Sequence, residues 1–441
     1  MSCVRIVLVS WLLVSCSTDK TSSSAESKEL SSNSTQRSLT DEKGDEPEVL
    51  PQTNVAPNAT LDTAAGINSF SIALYKEVPK SGNTLLSPFS VAAALSLLEL
   101  GAKGDTGAAL LNAFHAKSDK EHRVGLYDLV VQLTKSETVL EFGVPIHSHT
   151  LSINNSLWTA LDYPMERKFV SMAKSYYDAE VAAIDVLAPD KSAATINRWV
   201  SAATSGKIKE IVSPAMIAPL TRLILVNAIH FVGRWHKPFS ERDTEELPFY
   251  VDGHKTSHDV ATMGISYFFN SLANDEVTLV ELPYWSTDES AKFAMTLIVP
   301  KKRDGLHAVE AQLTPALLDG WLSSMTTNAM VMLYLPKWQA ETGMELSGSL
   351  RKIGLGPVFG QDADLSGISS EEGLEVSAVV HKTVITVDEK GTAAAAATSI
   401  MTIGAGASEP RIVRADHPFL YLIRDTETGA ILFIGRVVDP R

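Results

Sequence analysis

Hydrophobic and polar positions fall into two regimes along the chain. From Ala64 to Arg441 apolar residues recur at regular spacings without a linker-like break, whereas Ser17 to Thr63 is dominated by Ser, Thr, Asn and acidic residues. Helix signals lead the periodic part. In SPFSVAAALSLLELGAKG, Ser87 can cap, Pro88 suits the first turn, Val91, Leu95 and Leu98 share a face, and Gly101 offers a stop. In SAATINRWVSAATSGK, Ile196, Trp199, Val200 and Ala203 form a stripe that ends at Gly206. Strand-like runs follow: RLILVNAIHFVG, AMTLIVP, AMVMLYLPKW, AVVHKTVITV and AILFIGRVV. Several are apolar on consecutive residues, the mark of strands covered on both faces. No internal repeat is visible. Helices early and sheets late predict one large α+β domain over residues 64–441.

The N-terminus reads as an export signal. Arg5 precedes the apolar run Ile6 to Val14, too short to span a bilayer, and Ser15-Cys16 follows. LVSC (13–16) resembles the lipobox of bacterial lipoproteins. That resemblance implies a signal peptide over 1–15, lipidation of Cys16, and a protein exported to the cell envelope or outer surface. An ordinary secretory signal, with release to the extracellular space, is the alternative. Residues 16–63 are expected to form a disordered tether with a reach of about 40 Å.

The chain is 45% hydrophobic, which excludes wholesale disorder, and its formal net charge of −14 argues against a nucleic-acid partner. Cys3 and Cys16 are its two cysteines. With Cys16 modified, the mature chain would hold no disulfide and must rely on a large core. Signatures of catalysis are missing: the sequence has no G-x-S-x-G elbow, H-E-x-x-H pair, Walker loop or dinucleotide fingerprint. GAKGDTG (101–107) lacks the Lys-Ser/Thr ending of a phosphate loop and reads as one helix ending and another starting. DAD (362–364) has the opening of a calcium loop without its later ligands. His381, amid apolar strand residues, reads as a buried hydrogen-bonded histidine. Neither metal nor cofactor is expected, and a hydrolase is the least supported reading.

Several ordered segments resemble one family: NTLLSPFSVAAALSLLELGAKGDT (83–106), LSINNSLWT (151–159), INRWVSAATSGKIKEIV (196–212), LVNAIHFVGRWHKPF (225–239), FGQDADLSGIS (359–369), VVHKTVITVDEKGTAAAAAT (379–398) and ADHPFLYLIRDTETGAILFIGRVVDP (415–440). On these the chain is identified as similar to the serpins. The resemblance implies three β-sheets with eight to nine helices and an exposed reactive-centre loop at about 389–412. It assigns Ser87, Ser90, Asn227 and His381 to the polar cluster that controls opening of the central sheet, and Trp235 to the top of that sheet. It assigns Glu389, Lys390, Gly391, Thr392, Ala394 and Ala396 to the hinge. The implied partner is a target serine protease, held as a covalent acyl-enzyme by a monomeric inhibitor that touches a membrane only through its lipid anchor. A non-inhibitory binding or carrier module is the second reading.

The stretch TVDEKGTAAAAATSIMTIGAGAS (386–408) can be judged on its own. From Thr392 to Ser408 it has no charge, proline or aromatic ring. A central strand tolerates neither proline nor an unpaired buried charge. Neither alternating face of such a strand carries a charge, and its first half is Ala and Thr throughout, acceptable in water and in a core. The resemblance implies a scissile bond some sixteen or seventeen residues beyond the hinge glutamate, at Gly404 or Ala405, while counting back from the family-like His417-Pro418-Phe419 implies Ala407-Ser408. The expected reactive bond is Ala405-Gly406, with Ala407-Ser408 the alternative. All these residues are small, so an elastase-like or subtilisin-like protease is the expected target, with papain-like cysteine proteases a further class. A cut at Arg411 or Arg414 would leave too long a strand.

Overall fold

The computed structural model describes residues 58–141, 144–253, 255–287, 292–392 and 410–441. In chain order α1 (Ala59–Glu77), β1 (Thr84–Leu86), α2 (Pro88–Glu99), α3 (Gly104–Ala113) and α4 (Asp119–Thr134) come first. A hairpin of β2 (Thr138–Glu141) and β3 (Val144–His147) leads into β4 (His149–Ala160), α5 (Arg167–Tyr177), β5 (Glu180–Ile184) and α6 (Pro189–Ala203). Then come β6 (Leu223–Arg234), β7 (Thr244–Tyr250), β8 (Ser257–Ala273), β9 (Val277–Pro283), β10 (Phe293–Pro300), α7 (Leu306–Gln312) and α8 (Pro315–Ser323). The last third holds β11 (Thr326–Pro336), β12 (Trp338–Glu345), α9 (Ser347–Leu350), β13 (Val376–Asp388) and β14 (Gly391–Thr392). It closes with β15 (Arg411–Arg414), β16 (Phe419–Asp425) and β17 (Ile431–Val437). Everything described falls in the unit Pro47–Arg441.

Among the described residues the strands make three sheets. One has the order β1-β17-β16-β10-β9-β8-β11-β15, with β7 also on β8; the second runs β12-β13-β14-β6-β4-β5; the third is the β2–β3 hairpin. The first is continuous because β8 is long: it pairs with β7 and β11 along most of its length and with β9 at its end.

Helix α2 shows why these sequences take these shapes. Ser87 caps it by accepting from the Ser90 amide, and Pro88 opens the first turn. Every residue from Pro88 to Glu99 is buried. Apart from Ser90, Ser96 and Glu99 the helix is apolar on every face, because it lies inside the molecule between the two large sheets rather than on a surface with one covered face. Gly101 does not serve as a left-handed stop. A Cβ there would lie 2.4 Å from the Ile368 side chain, so the position is kept small for close packing. Gly206 does take the left-handed conformation expected of it, at φ +75°.

Strand β6 is buried on consecutive residues from Leu223 to Ile229 because both its faces are covered. The main core, including α2, packs on one face. On the other, Ile196 and Val200 of α6, with Ile208, Val212 and Ile217 of the strap that follows, cover Ile224 and Val226 of β6 and Ala378 and Val380 of β13. The strap is fastened to α6 by Asn197, which accepts from the Ile211 and Val212 amides and donates to the Val212 carbonyl. Helix and strap therefore bridge β6 and β13.

Candidate functional site

The six-stranded sheet contains a seam. β13 and β6 pair directly and in parallel from Val376 opposite Leu223 to Val384 opposite His230. Beyond Val384 they part, and the two residues of β14 lie between them. Gly391 faces Arg234, and Thr392 faces Gly233 on one side and Val387 on the other, antiparallel to both.

Midway down the seam lies a buried polar cluster. His381 and Asn227 are register partners, and their side chains meet at 2.6 Å, Nδ1 to Oδ1. His381 Nε2 accepts from the Ser87 amide at 3.2 Å, so the proton must sit on Nδ1 and be donated to Asn227. The Ser90 hydroxyl also donates to Asn227 Oδ1 at 2.7 Å, while Asn227 Nδ2 donates to the Ser90 carbonyl and to Asn155 Oδ1. The Ser87 hydroxyl donates to the Leu432 carbonyl. Ser87, Ser90, Asn227 and His381 have no accessible surface. Burial drives the His381 pKa down to about 3, so the ring is neutral. The cluster joins α2 to both strands of the seam. Asn155, on β4, belongs to it and was not singled out from sequence; its signal was the polar pair inside LSINNSLWT.

At the upper end, β13 turns into β14 through Glu389 and Lys390. The Asp388 carboxylate accepts from the amides of Lys390 and Gly391, a local turn of the kind aspartate favours. Gly391 has φ +150°, and a Cβ on it would stand 2.1 Å from the Gly233 carbonyl oxygen. Only glycine fits there. The Lys390 carbonyl accepts from the Trp235 amide, and the Glu389 carbonyl from the Phe239 amide. Trp235 is buried, and its indole N–H donates to the Asp388 carbonyl at 2.9 Å.

The Glu389 side chain is buried against Thr244, which donates at 2.8 Å, and Lys337, whose ammonium lies 2.9 Å away. Burial alone would raise its pKa. Hydrogen bonds from Lys337, the backbone and Thr244, with the Lys337 charge, outweigh this and hold it below the usual carboxylate range. Lys390 reaches Glu241 at 3.3 Å on the surface. The resemblance implies an exposed loop at about 389–412. Instead Glu389, Gly391 and Thr392 are buried, Glu389 in the turn and Gly391 and Thr392 paired within the sheet, because the parting of β13 from β6 leaves room for them. The far end is also structured: Arg411–Arg414 form β15 alongside β11, where Arg411 donates to Ser271 and Arg414 stacks on Tyr334 at 4.1 Å.

Ala394, Ala396, Ala405, Gly406, Ala407, Ser408 and Cys16 lie outside the described residues. Asp364, in the stretch that begins like a calcium loop, accepts from the Ser366 amide and hydroxyl. Among the described residues no group of His, Cys, Asp and Glu could hold a metal ion, and no helix is long and apolar enough to cross a membrane.

Comparison with known proteins places this arrangement. The family model described as Serpin (serine protease inhibitor) matches residues 65–440. A serpin-like protein of Methanosarcina mazei is 36% identical over 86% of this chain and 88% of its own. The leukocyte elastase inhibitor of Bos taurus is 34% identical over 82% of this chain and 94% of its own. Among solved structures, Serpin48 of the insect Tenebrio molitor superposes with a TM-score of 0.76 at 30% identity, covering 86% of this chain and 98% of that one.

Proposed function

The chain belongs to the serpin family, most of whose members inhibit proteases while some do not, and we propose that this one is an inhibitory serpin that traps its target covalently. The observation that carries the proposal is the seating of Gly391 and Thr392 between β6 and β13, which starts a new central strand without a clash.

Continuing that register gives the course of the reaction. With Gly391 opposite Arg234, residue 402 would face Leu223, the first residue of β6. Thr392 is fully buried on the inner side of the sheet, so Ala394, Ala396, Thr398, Ile400 and Thr402 would follow it inward. Thr398 would fall between Asn227 and His381. Insertion breaks the 2.6 Å bond between those two, and a hydroxyl at that level can donate to one and accept from the other. The parallel β13–β6 ladder is replaced by two antiparallel ladders, a net gain on the order of ten kcal/mol.

The protein supplies no catalytic group. The target's serine attacks the carbonyl of Ala405, or of Ala407, expels the amine of the next residue and forms an acyl-enzyme. Insertion then competes with hydrolysis of that ester. The small residues from Gly404 to Ser408 suit a shallow apolar specificity pocket, that of elastase-like or subtilisin-like enzymes, and papain-like cysteine proteases form a further target class. The two nearby arginines are already engaged by Ser271 and Tyr334, which disfavours a trypsin-like target. We also propose export and anchoring through a lipid on Cys16, which loss of detergent-phase partitioning in Cys16→Ser would support.

The test is to mix the full chain with pancreatic elastase and run a denaturing gel. A product larger than either protein, stable to boiling, is expected, and sequencing its released C-terminal fragment identifies the bond. Loop cleavage with surviving protease activity would instead indicate a non-inhibitory serpin.

A further inference from the structure

The pre-seated hinge is held by a side chain that neither its own sequence segment nor the family resemblance pointed to. Tyr284 follows β9, and its phenol oxygen lies 2.7 Å from Thr392 Oγ1. Thr392 is wholly buried and Tyr284 almost so. The phenol has little freedom to be elsewhere. Its ring stacks on Trp235 with centroids 4.7 Å apart and planes 16° from parallel, and meets Phe231 edge-on at 5.0 Å. A Cβ on Gly233 would come within 2.6 Å of the ring, so the sheet beneath it is shaped to admit it. The backbone is fixed as well: the Tyr284 amide donates to the Phe293 carbonyl, and Tyr284 bridges to Trp235. Burial raises the phenol pKa far above neutrality, so it stays a donor at physiological pH.

We propose that Tyr284 is the docking residue of the hinge: its hydrogen bond to Thr392 holds the first two inserted residues in the seam before cleavage, so that insertion begins from a formed start. The proposal rests on the inhibitory reading above and adds a positioning residue to it. Gly391 and Thr392 already have the register that a full strand would continue, so insertion never has to break the Tyr284 bond. Losing that bond instead adds a docking step while the acyl-enzyme is exposed to water, and more molecules are released as cleaved substrate.

Hydrogen exchange of the full chain, followed by mass spectrometry, reads docking without any protease. Tyr284→Phe keeps the stacked ring and removes only the hydroxyl. The Gly391 and Thr392 amides should then exchange about five- to tenfold faster, the effect of losing one hydrogen bond. The stoichiometry of inhibition of pancreatic elastase should rise several-fold. Thr392→Val should do the same from the other side, and the double variant should be no worse than either single one, since both remove one bond. Unchanged hinge exchange in Tyr284→Phe, unchanged stoichiometry beside faster exchange, or additive effects in the double variant would overturn the proposal. A wild-type chain that forms no complex with elastase would sink the inhibitory reading, yet the exchange measurement would still report on docking.

Discussion

Single residues in the seam have properties that ordinary chemistry sets and ordinary measurements reach. His381 is neutral because burial lowers its pKa from 6.5 to about 3. Between those values the unfolded chain binds a proton that the native state does not. Its contribution to stability is therefore whole above pH 6.5 and is lost as the pH falls below it, at up to about 1.4 kcal/mol per pH unit. His122, lowered to about 4 by burial and by the Arg123 charge, acts with the same sign. Glu99 acts with the opposite one: burial, against the pull of Arg123, raises it to about 7, so its contribution grows as the pH falls from 7 toward 4.5. The overall acid slope is a partial cancellation, and the discriminating measurement is local. The ring resonances of His381 should stay flat from pH 8 to 5 in an NMR titration; a midpoint near 6 would show that the cluster is open to water. Gly391 is the second such position. Gly391→Ala would bring a methyl group to 2.1 Å from the Gly233 carbonyl oxygen. The hinge should leave the seam rather than the sheet deform, so the stoichiometry of elastase inhibition rises several-fold while the melting temperature of the intact protein changes little.

At the scale of elements, what could be read in advance depended on how local its causes are. Helix α2 was legible because Ser87, Pro88 and the apolar run after them lie within a dozen residues, and β6, β10, β13 and β17 because continuous apolar runs are local too. The gathering of Ser87, Ser90, Asn227 and His381 followed only from resemblance, since the contacts span segments far apart in the chain. Asn155 and Tyr284 were missed for that reason: each gains its meaning from one partner on a distant element. The two-residue strand β14 was illegible in principle, because nothing in Gly391-Thr392 tells that β13 and β6 part above Val384. The continuity of the nine-stranded sheet depended likewise on the full length of β8. The same element logic carries a prediction. Residue 394 would be the next inward position after Thr392, and a proline there lacks the amide that a ladder requires. Ala394→Pro should turn the protein into a substrate, cleaved by elastase without a stable complex on a denaturing gel, with the intact melting temperature unchanged. Normal complex formation by this variant would exclude insertion past the hinge.

For the molecule as a whole, the sheet, the loop and the strap together decide whether the intact form can store free energy. A strand running from Gly391 down β6 to Leu223 is about 40 Å long. The loop's other end is fixed on β11, paired from Val331 to Tyr334, and Lys337 just beyond β11 binds Glu389 at the top of the seam. From residue 402 to Arg411 the chain can reach only about 30 Å. An uncut loop therefore cannot descend the seam while β15 stays paired, and α6 with its strap holds β6 and β13 together meanwhile. On the proposed inhibitory reading, a cut between Gly404 and Ser408 would remove the tether and let the strand form. A gain on the order of ten kcal/mol, set against an unfolding entropy of about 2.1 cal/mol/K per residue over the folded part of the chain, corresponds to a rise in melting temperature of about ten degrees or more. Calorimetry on the chain before and after limited elastase cleavage reads this directly. An unchanged melting temperature after a clean cut would mean that the closed seam is already the most stable arrangement, leaving no driving force to outrun hydrolysis of an acyl-enzyme.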